Sequence, residues 1–170
     1  MTQNGRQRSS NAAGFDADGQ NAFDFFPGTW TGRNRKISNY LSETGDWVEF
    51  ESITKSWMLW NGRGNMDETV SHEPGGDVTG SAIRVFDPVT KLWAIYFLSP
   101  GNLQISPPRM GRFLEGIGEF SGRDTYNGQQ VMAKSRWERI DPGSPRWEQA
   151  ISVDCGKTWK INWIIEFSKR

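Results

Sequence analysis

Turn signals cut this chain into short extended segments from residue 29 almost to its end, and no long helical stretch interrupts them. The breaks include Thr44-Gly45-Asp46, Asn61-Gly62, Glu73-Pro74-Gly75-Gly76-Asp77, Asp87-Pro88, Tyr126-Asn127-Gly128, Asp141-Pro142-Gly143-Ser144-Pro145 and Asp154-Cys155-Gly156-Lys157. Asn and Gly reach the left-handed backbone that tight hairpins need, and Pro removes a ladder donor. Between the breaks, residues alternate with the two-residue period of a strand. The last segment is the cleanest. Trp159, Ile161, Trp163, Ile165 and Phe167 fall on one face, with Lys160, Asn162, Glu166 and Ser168 on the other. Hairpin spacing argues against parallel crossovers, which need long connections. The expectation is an all-β, antiparallel, up-and-down closed barrel of about eight to ten strands, since closure removes both sheet edges where a sandwich leaves them bare.

Taken in order, residues 1 to about 22 are rich in Asn, Gln, Ser and Gly and read as a disordered leader before a single barrel domain over 23–170. Asp16-Ala17-Asp18-Gly19 lacks the later ligands of a calcium loop. Phe23, Phe25 and Phe26 suit a short turn whose rings cap the barrel bottom. Pro27-Gly28 then breaks the chain and places Trp30 as a plug where the first strand begins. Strand candidates are 29–40, 47–60, 64–71, 79–86, 91–98, 109–120, 129–139, 146–153 and 159–168. The 109–120 segment is read as one strand bent at Gly116 and Gly118. The connection 99–108, with three prolines, is long enough to form a rim or lid.

Composition narrows the function. At 170 residues the chain can bury a substantial core, and 20 basic against 20 acidic side chains give no positive field for nucleic acid. Cys155 is the only cysteine and His72 the only histidine, so neither an internal disulfide nor a multi-cysteine metal site can form. No signal-peptide core or membrane-length apolar run is visible, and the expected location is the cytoplasm. Nine Trp residues are too many for one plug and suit either a packed core or an aromatic-lined cavity.

Gly28-Thr29-Trp30 resembles the Gly-x-Trp motif of lipocalin-like (calycin) barrels. Several further stretches are similar, in order and spacing, to the uncharacterised bacterial lipocalin-like family described as DUF1579. They are Gly62-Arg63-Gly64-Asn65-Met66-Asp67-Glu68, Arg84-Val85-Phe86-Asp87-Pro88-Val89-Thr90, Trp93-Ala94-Ile95-Tyr96, Gly111-Arg112-Phe113, and Asp154-Cys155-Gly156-Lys157-Thr158-Trp159 through Asn162-Trp163. The likeness spans roughly 23–168. It implies a calycin barrel whose Trp30 closes one end near a basic residue of the last strand, for which Lys169 and Arg170 are the candidates. Related barrels carry lipids and pigments, and a few in natural-product pathways are cofactor-free cyclases.

The chemistry-bearing residues are few. His72 lies beside a Glu-Pro-Gly-Gly loop and reads as exposed, and Cys155 reads as a passive turn residue without an activating base. Gly156-Lys157-Thr158 lacks the earlier glycine of a phosphate loop. Asp67 and Glu68 face opposite sides of a strand, so one can point inward, where burial either raises its carboxyl pKa and fits it for proton transfer or is relieved by pairing with an inward arginine, for which Arg84, Arg112 and Arg136 are the candidates. Glu68 is the proton-handling candidate, with Arg84 and Tyr96 beside it. Trp57, Trp60, Trp137 and Trp163, with Arg112 and Arg136, are the candidate ligand-binding set. Either a small hydrophobic or aromatic molecule is held in the barrel, or the same pocket serves a cofactor-free cyclase or isomerase. A third reading is a structural protein with a filled core. None requires a cofactor, a metal, nucleic acid or a membrane, and a homodimer is compatible with each.

Overall fold

The computed structural model describes residues 19–37, 39, 45–101, 105–138, 140 and 143–170. Among them ten antiparallel strands form one closed barrel. They are β1 (Gly28–Ile37), β2 (Trp47–Leu59), β3 (Gly64–Glu73), β4 (Gly76–Asp87), β5 (Leu92–Leu98), β6 (Arg109–Leu114), β7 (Ile117–Tyr126), β8 (Gln129–Glu138), β9 (Arg146–Ser152) and β10 (Lys160–Lys169). Each strand pairs with its neighbour in sequence, and β10 returns to pair with β1, so no edge is left. Trp30 registers with Thr54 on one side and Lys169 on the other.

The hairpins follow the turn chemistry. Asn127 and Gly128 both take positive φ, 48° and 78°, as a two-residue turn requires. The segment expected as one strand over 109–120 is two. Glu115 and Gly116, at φ 51° and 80°, reverse the chain between β6 and β7. The last strand also departs from strict alternation. Its register with β9 shifts between Ile161 and Trp163. A bulge turns both Asn162 and Trp163 inward and leaves Ile161 42 % exposed. Trp159 lies outside the barrel, with Lys134 Nζ 4.7 Å from its ring centre.

Residues 19–26 cross the end of the barrel where β1 begins. The boundary expected at residue 22 falls inside this packed segment: Ala22 is buried, and the Trp93 indole donates to the Gly19 carbonyl at 2.9 Å. The rest of the expected leader lies outside the described residues. Phe23 is fully buried, its ring centre 5.0 Å from those of Trp93 and Phe113, 5.8 Å from Phe120 and 6.0 Å from Trp137. Phe26 meets Trp137 at 4.9 Å and Phe167 at 5.6 Å. Trp30 is buried beside them, and its Nε1 donates to the Phe26 carbonyl at 2.6 Å. A large share of the aromatic content therefore fills this end, each fully buried ring contributing about 1.5–3 kcal/mol.

The strand period fixes what faces the lumen elsewhere. Over 52–56 of β2 and 65–71 of β3 the inward residues are small and polar, namely Ser52, Thr54, Ser56, Asn65, Asp67, Thr69 and Ser71, whereas Phe50, further along β2, is inward and buried. Their outward neighbours include Ile53, Trp57, Met66 and Val70. This stretch is polar inside, and its outer face mixes these apolar residues with Glu51, Lys55, Glu68 and His72.

Candidate functional site

Directly against the aromatic plug sits a buried ion pair. Arg84 on β4 donates from Nη1 to Asp67 Oδ2 at 2.6 Å and to Asn65 Oδ1 at 2.9 Å. Its guanidinium also lies 5.3, 5.1 and 5.8 Å from the ring centres of Phe23, Phe26 and Trp137. Burying a charge is tolerable only with such pairing, and the ring faces add favourable cation–π contact. Satisfaction is incomplete. Arg84 Nε, Asn65 Nδ2, Ser56 Oγ and Trp137 Nε1 are buried without a hydrogen-bond partner. Asn65 is the register partner of Arg84, and Ser56 that of Asp67, so these groups form one cluster.

Towards the opposite end the lumen changes character. Two inward aromatic rings, Phe97 on β5 and Trp163 on β10, remain only half-buried, as does inward Thr69. Each ring carries a cation, and each cation a carboxylate. Lys36 Nζ lies 4.6 Å from the Trp163 ring centre and 2.7 Å from Glu73 Oε1. Arg109 lies 4.6 Å from the Phe97 ring centre, donates to Ser135 Oγ at 2.6 Å and pairs with Asp124 at 3.1 Å. Trp163 Nε1 donates to Asn34 Oδ1 at 3.0 Å, and Asn34 Nδ2 donates to Ser52 Oγ at 2.9 Å. Between these groups Gly80 faces the lumen, and among the described residues a Cβ there would come within 4 Å only of the Leu98 carbonyl, at 3.6 Å. The charges of this upper lumen balance. Its rings and hydroxyls suit a planar, mostly apolar guest with a few polar atoms.

The expected site residues divide by strand face. Arg84, Trp137 and Trp163 point inward, with Trp137 held inside the plug. Glu68 is exposed on the outer face opposite Lys55, and the inward carboxylate of that dipeptide is Asp67. Tyr96 also faces out, because its neighbours Ile95 and Phe97 face in. Trp57 is outward and 42 % exposed, and Trp60 is 62 % exposed in a turn. Arg112 is exposed on the outer face of β6. Arg136 lies on the outside of β8, 3.0 Å from Glu119 and 3.3 Å from Glu138. A lumen site therefore cannot draw on Glu68, Tyr96, Trp57, Trp60, Arg112 or Arg136.

Electrostatics on that outer wall are those of a surface network. Partial burial pushes the Glu138 carboxyl up, but hydrogen bonds from Arg146 and Arg136 outweigh it and hold the group below its ordinary value. His72 is exposed with Nδ1 2.8 Å from Asp77 Oδ1, and Cys155 is exposed in its turn at φ 61°. No cluster of three metal-ligating side chains exists among the described residues. Of the expected lid, residues 102–104 lie outside the described residues.

Sequence reasoning missed Lys36, Asn34, Glu73, Phe97, Arg109 and Asp124. Phe97 was signalled by its alternation with Ile95 and Trp93. The charged residues sit at strand ends, where the period gives no face.

No protein-family model matches the chain, and no curated protein does. What the geometry establishes is a closed, ten-stranded, up-and-down antiparallel barrel with one end filled by aromatic side chains.

Proposed function

We propose that the barrel binds a small, mostly apolar or aromatic molecule in its upper lumen, between Phe97 and Trp163. One observation carries this reading: two aromatic rings that face the inside of a closed barrel are left half-buried, each backed by a cation. Apolar walls supply affinity, and Asn34, Thr69 and the ion-paired ends orient the guest. Assignment to the calycin barrels, and to DUF1579 among them, belongs to the same reading. It is supported by Trp30 behind Pro27-Gly28 and by Lys169 Nζ, 5.1 Å from the Trp30 ring centre.

The cyclase or isomerase alternative is weaker. It rested on Glu68 as proton handler, and Glu68 is on the outside. The inward carboxylates Asp67, Glu73 and Asp124 are each engaged by a cation. Native mass spectrometry of the purified chain, with chemical identification of whatever is extracted, tests the proposal. Titration with a naphthol-sized aromatic probe, followed by Trp fluorescence, gives an affinity. Phe97→Ala and Trp163→Ala should each weaken it by roughly tenfold, about 1.4 kcal/mol. A chain with no adduct and no saturable probe binding would favour the filled-core reading.

A further inference from the structure

We propose that a second copy of this chain packs against the outer wall formed by β2 to β6. Two rows of the sheet carry the argument. Across one, Trp57 registers with Met66, Met66 with Ile83, and Ile83 with Tyr96. In the next, Val85 registers with Ala94 and Ala94 with Met110. All of these side chains point away from the lumen. Trp57 is 42 % and Met110 39 % exposed, and the others are half-buried. Neither row contains a charge.

The opposite wall shows what this barrel does where it meets water. On the outside of β7, β8 and β9, Glu119, Arg136, Glu138, Arg146 and Glu148 form a chain of ion pairs at 2.7–3.3 Å. The apolar wall is therefore specific to one side. Behind it, over 52–56 and 65–71, the interior is lined by hydroxyls, an amide and a carboxylate. Trp57 and Met66 point outward there, where another surface can bury them. Contiguous exposed apolar faces of this kind mark interaction sites. Trp and Met are enriched in interface centres.

Charge selects the occupant. Beside the Trp57–Met66 pair the next row holds Lys55 and Glu68, register partners of opposite sign. A two-fold axis buries the same patch on both copies, so the patch must complement itself. An uncharged centre does so with Lys55 of one protomer set against Glu68 of its partner, and on its other side outward Asp87 and Arg112 again carry opposite signs. An anionic membrane surface selects instead a basic rim around the apolar face. A partner of strong single charge would meet no counter-field here. This proposal does not depend on what the lumen binds.

Sedimentation velocity of the full chain over a range of concentrations reads the outcome. The expected species has twice the 19.3 kDa chain mass. Ile83→Lys should weaken association by about thirtyfold or more, the scale of an interface hot spot, with the circular dichroism spectrum of the folded chain unchanged. Should Ile83→Lys not fold, Trp57→Gln places the lesion at a more exposed position of the same row. Lys55→Glu should weaken the dimer, and Lys55→Glu with Glu68→Lys should restore it. A monomer at every concentration overturns the proposal, as does a dimer indifferent to both row variants. Flotation of the wild-type monomer with phosphatidylcholine vesicles would assign the wall to lipid and overturn it too.

Discussion

Lys169 Nζ lies 5.1 Å from the ring centre of Trp30, and the same two residues are register partners across the seam that closes the barrel. The ammonium thus covers the indole at the point where the first and last strands meet. Trp30→Ala removes a buried ring and its hydrogen bond to Phe26, and should cost about 3–5 kcal/mol in denaturant unfolding. Lys169→Ala, exposed at its charged end, should cost only about 0.5–1 kcal/mol. Equal costs for the two would contradict a plug held mainly by packing.

The Arg84–Asp67 pair should behave as a buried salt bridge. Asp67→Ala leaves a guanidinium uncompensated among aromatic rings, with an expected loss of about 3–5 kcal/mol. Asp67→Leu combined with Arg84→Met should recover most of that loss, since the cluster already leaves Arg84 Nε and Asn65 Nδ2 unpaired. Equilibrium unfolding of the two variants side by side checks this. A double variant no better than Asp67→Ala would mean that the pair contributes more than mutual neutralisation.

Gly80→Leu separates an open lumen from a filled one. If space lies before Gly80, the new side chain enters it, unfolding stays within about 1 kcal/mol of wild type, and probe binding is lost. In a packed interior the same change costs about 1–3 kcal/mol through overpacking.

The β9–β10 turn carries a pH dependence. Asp154 accepts hydrogen bonds from the Thr158 hydroxyl at 2.6 Å, from the Thr158 and Lys157 amides at 2.9 and 3.0 Å, and from Ser152 Oγ at 2.7 Å. The Thr158 hydroxyl above all, then its amide and Ser152, lower the carboxyl pKa from 3.8 to about 2. A depressed pKa means that the folded form binds this proton more weakly than the unfolded chain does. The stabilisation is therefore complete above the ordinary pKa and disappears as pH falls from 3.8 towards about 2. A carboxyl-carbon NMR titration should give a midpoint near the lower value, and Thr158→Val should return it towards the ordinary one.

How far the sequence could be read depended on where strand polarity follows the usual rule. The closed meander was legible from turn chemistry at Asn61-Gly62 and Asn127-Gly128. The reversal at Glu115-Gly116 was not, because Glu seldom takes positive φ. The Trp30 plug was legible from Pro27-Gly28. Most aromatic residues assigned to a pocket either fill that plug, as Trp137 does, or lie outside. Trp57 was misplaced because it was taken to face inward, whereas its neighbour Ser56 does, and Tyr96 because the other face of β5, with Trp93, Ile95 and Phe97, is the inward one. Glu68 and Asp67 could not be told apart from alternation alone. Their faces are set by the pairing of Asp67 with Ser56 across the β2–β3 hairpin, a register that the alternation of β3 does not itself contain. The bulge at Asn162 shows the same limit, since one extra residue turned the Trp159 side of β10 around.

The plug has a consequence for the order of folding. Its residues precede β1, yet their partners come from β4 to β8 and from β10, and the Gly19–Trp93 hydrogen bond spans 74 positions. The Lys169–Pro27 contact spans 142. Contacts of such separation form late, after loop closure has been paid for by nearer ones. The opening segment of the chain should thus be among the last to settle. On this hypothesis Phe23→Ala accelerates unfolding while leaving the refolding rate near that of wild type, a φ-value close to zero. Slowed refolding in a stopped-flow chevron would instead place Phe23 in the nucleus and make the plug a template on which the hairpins gather.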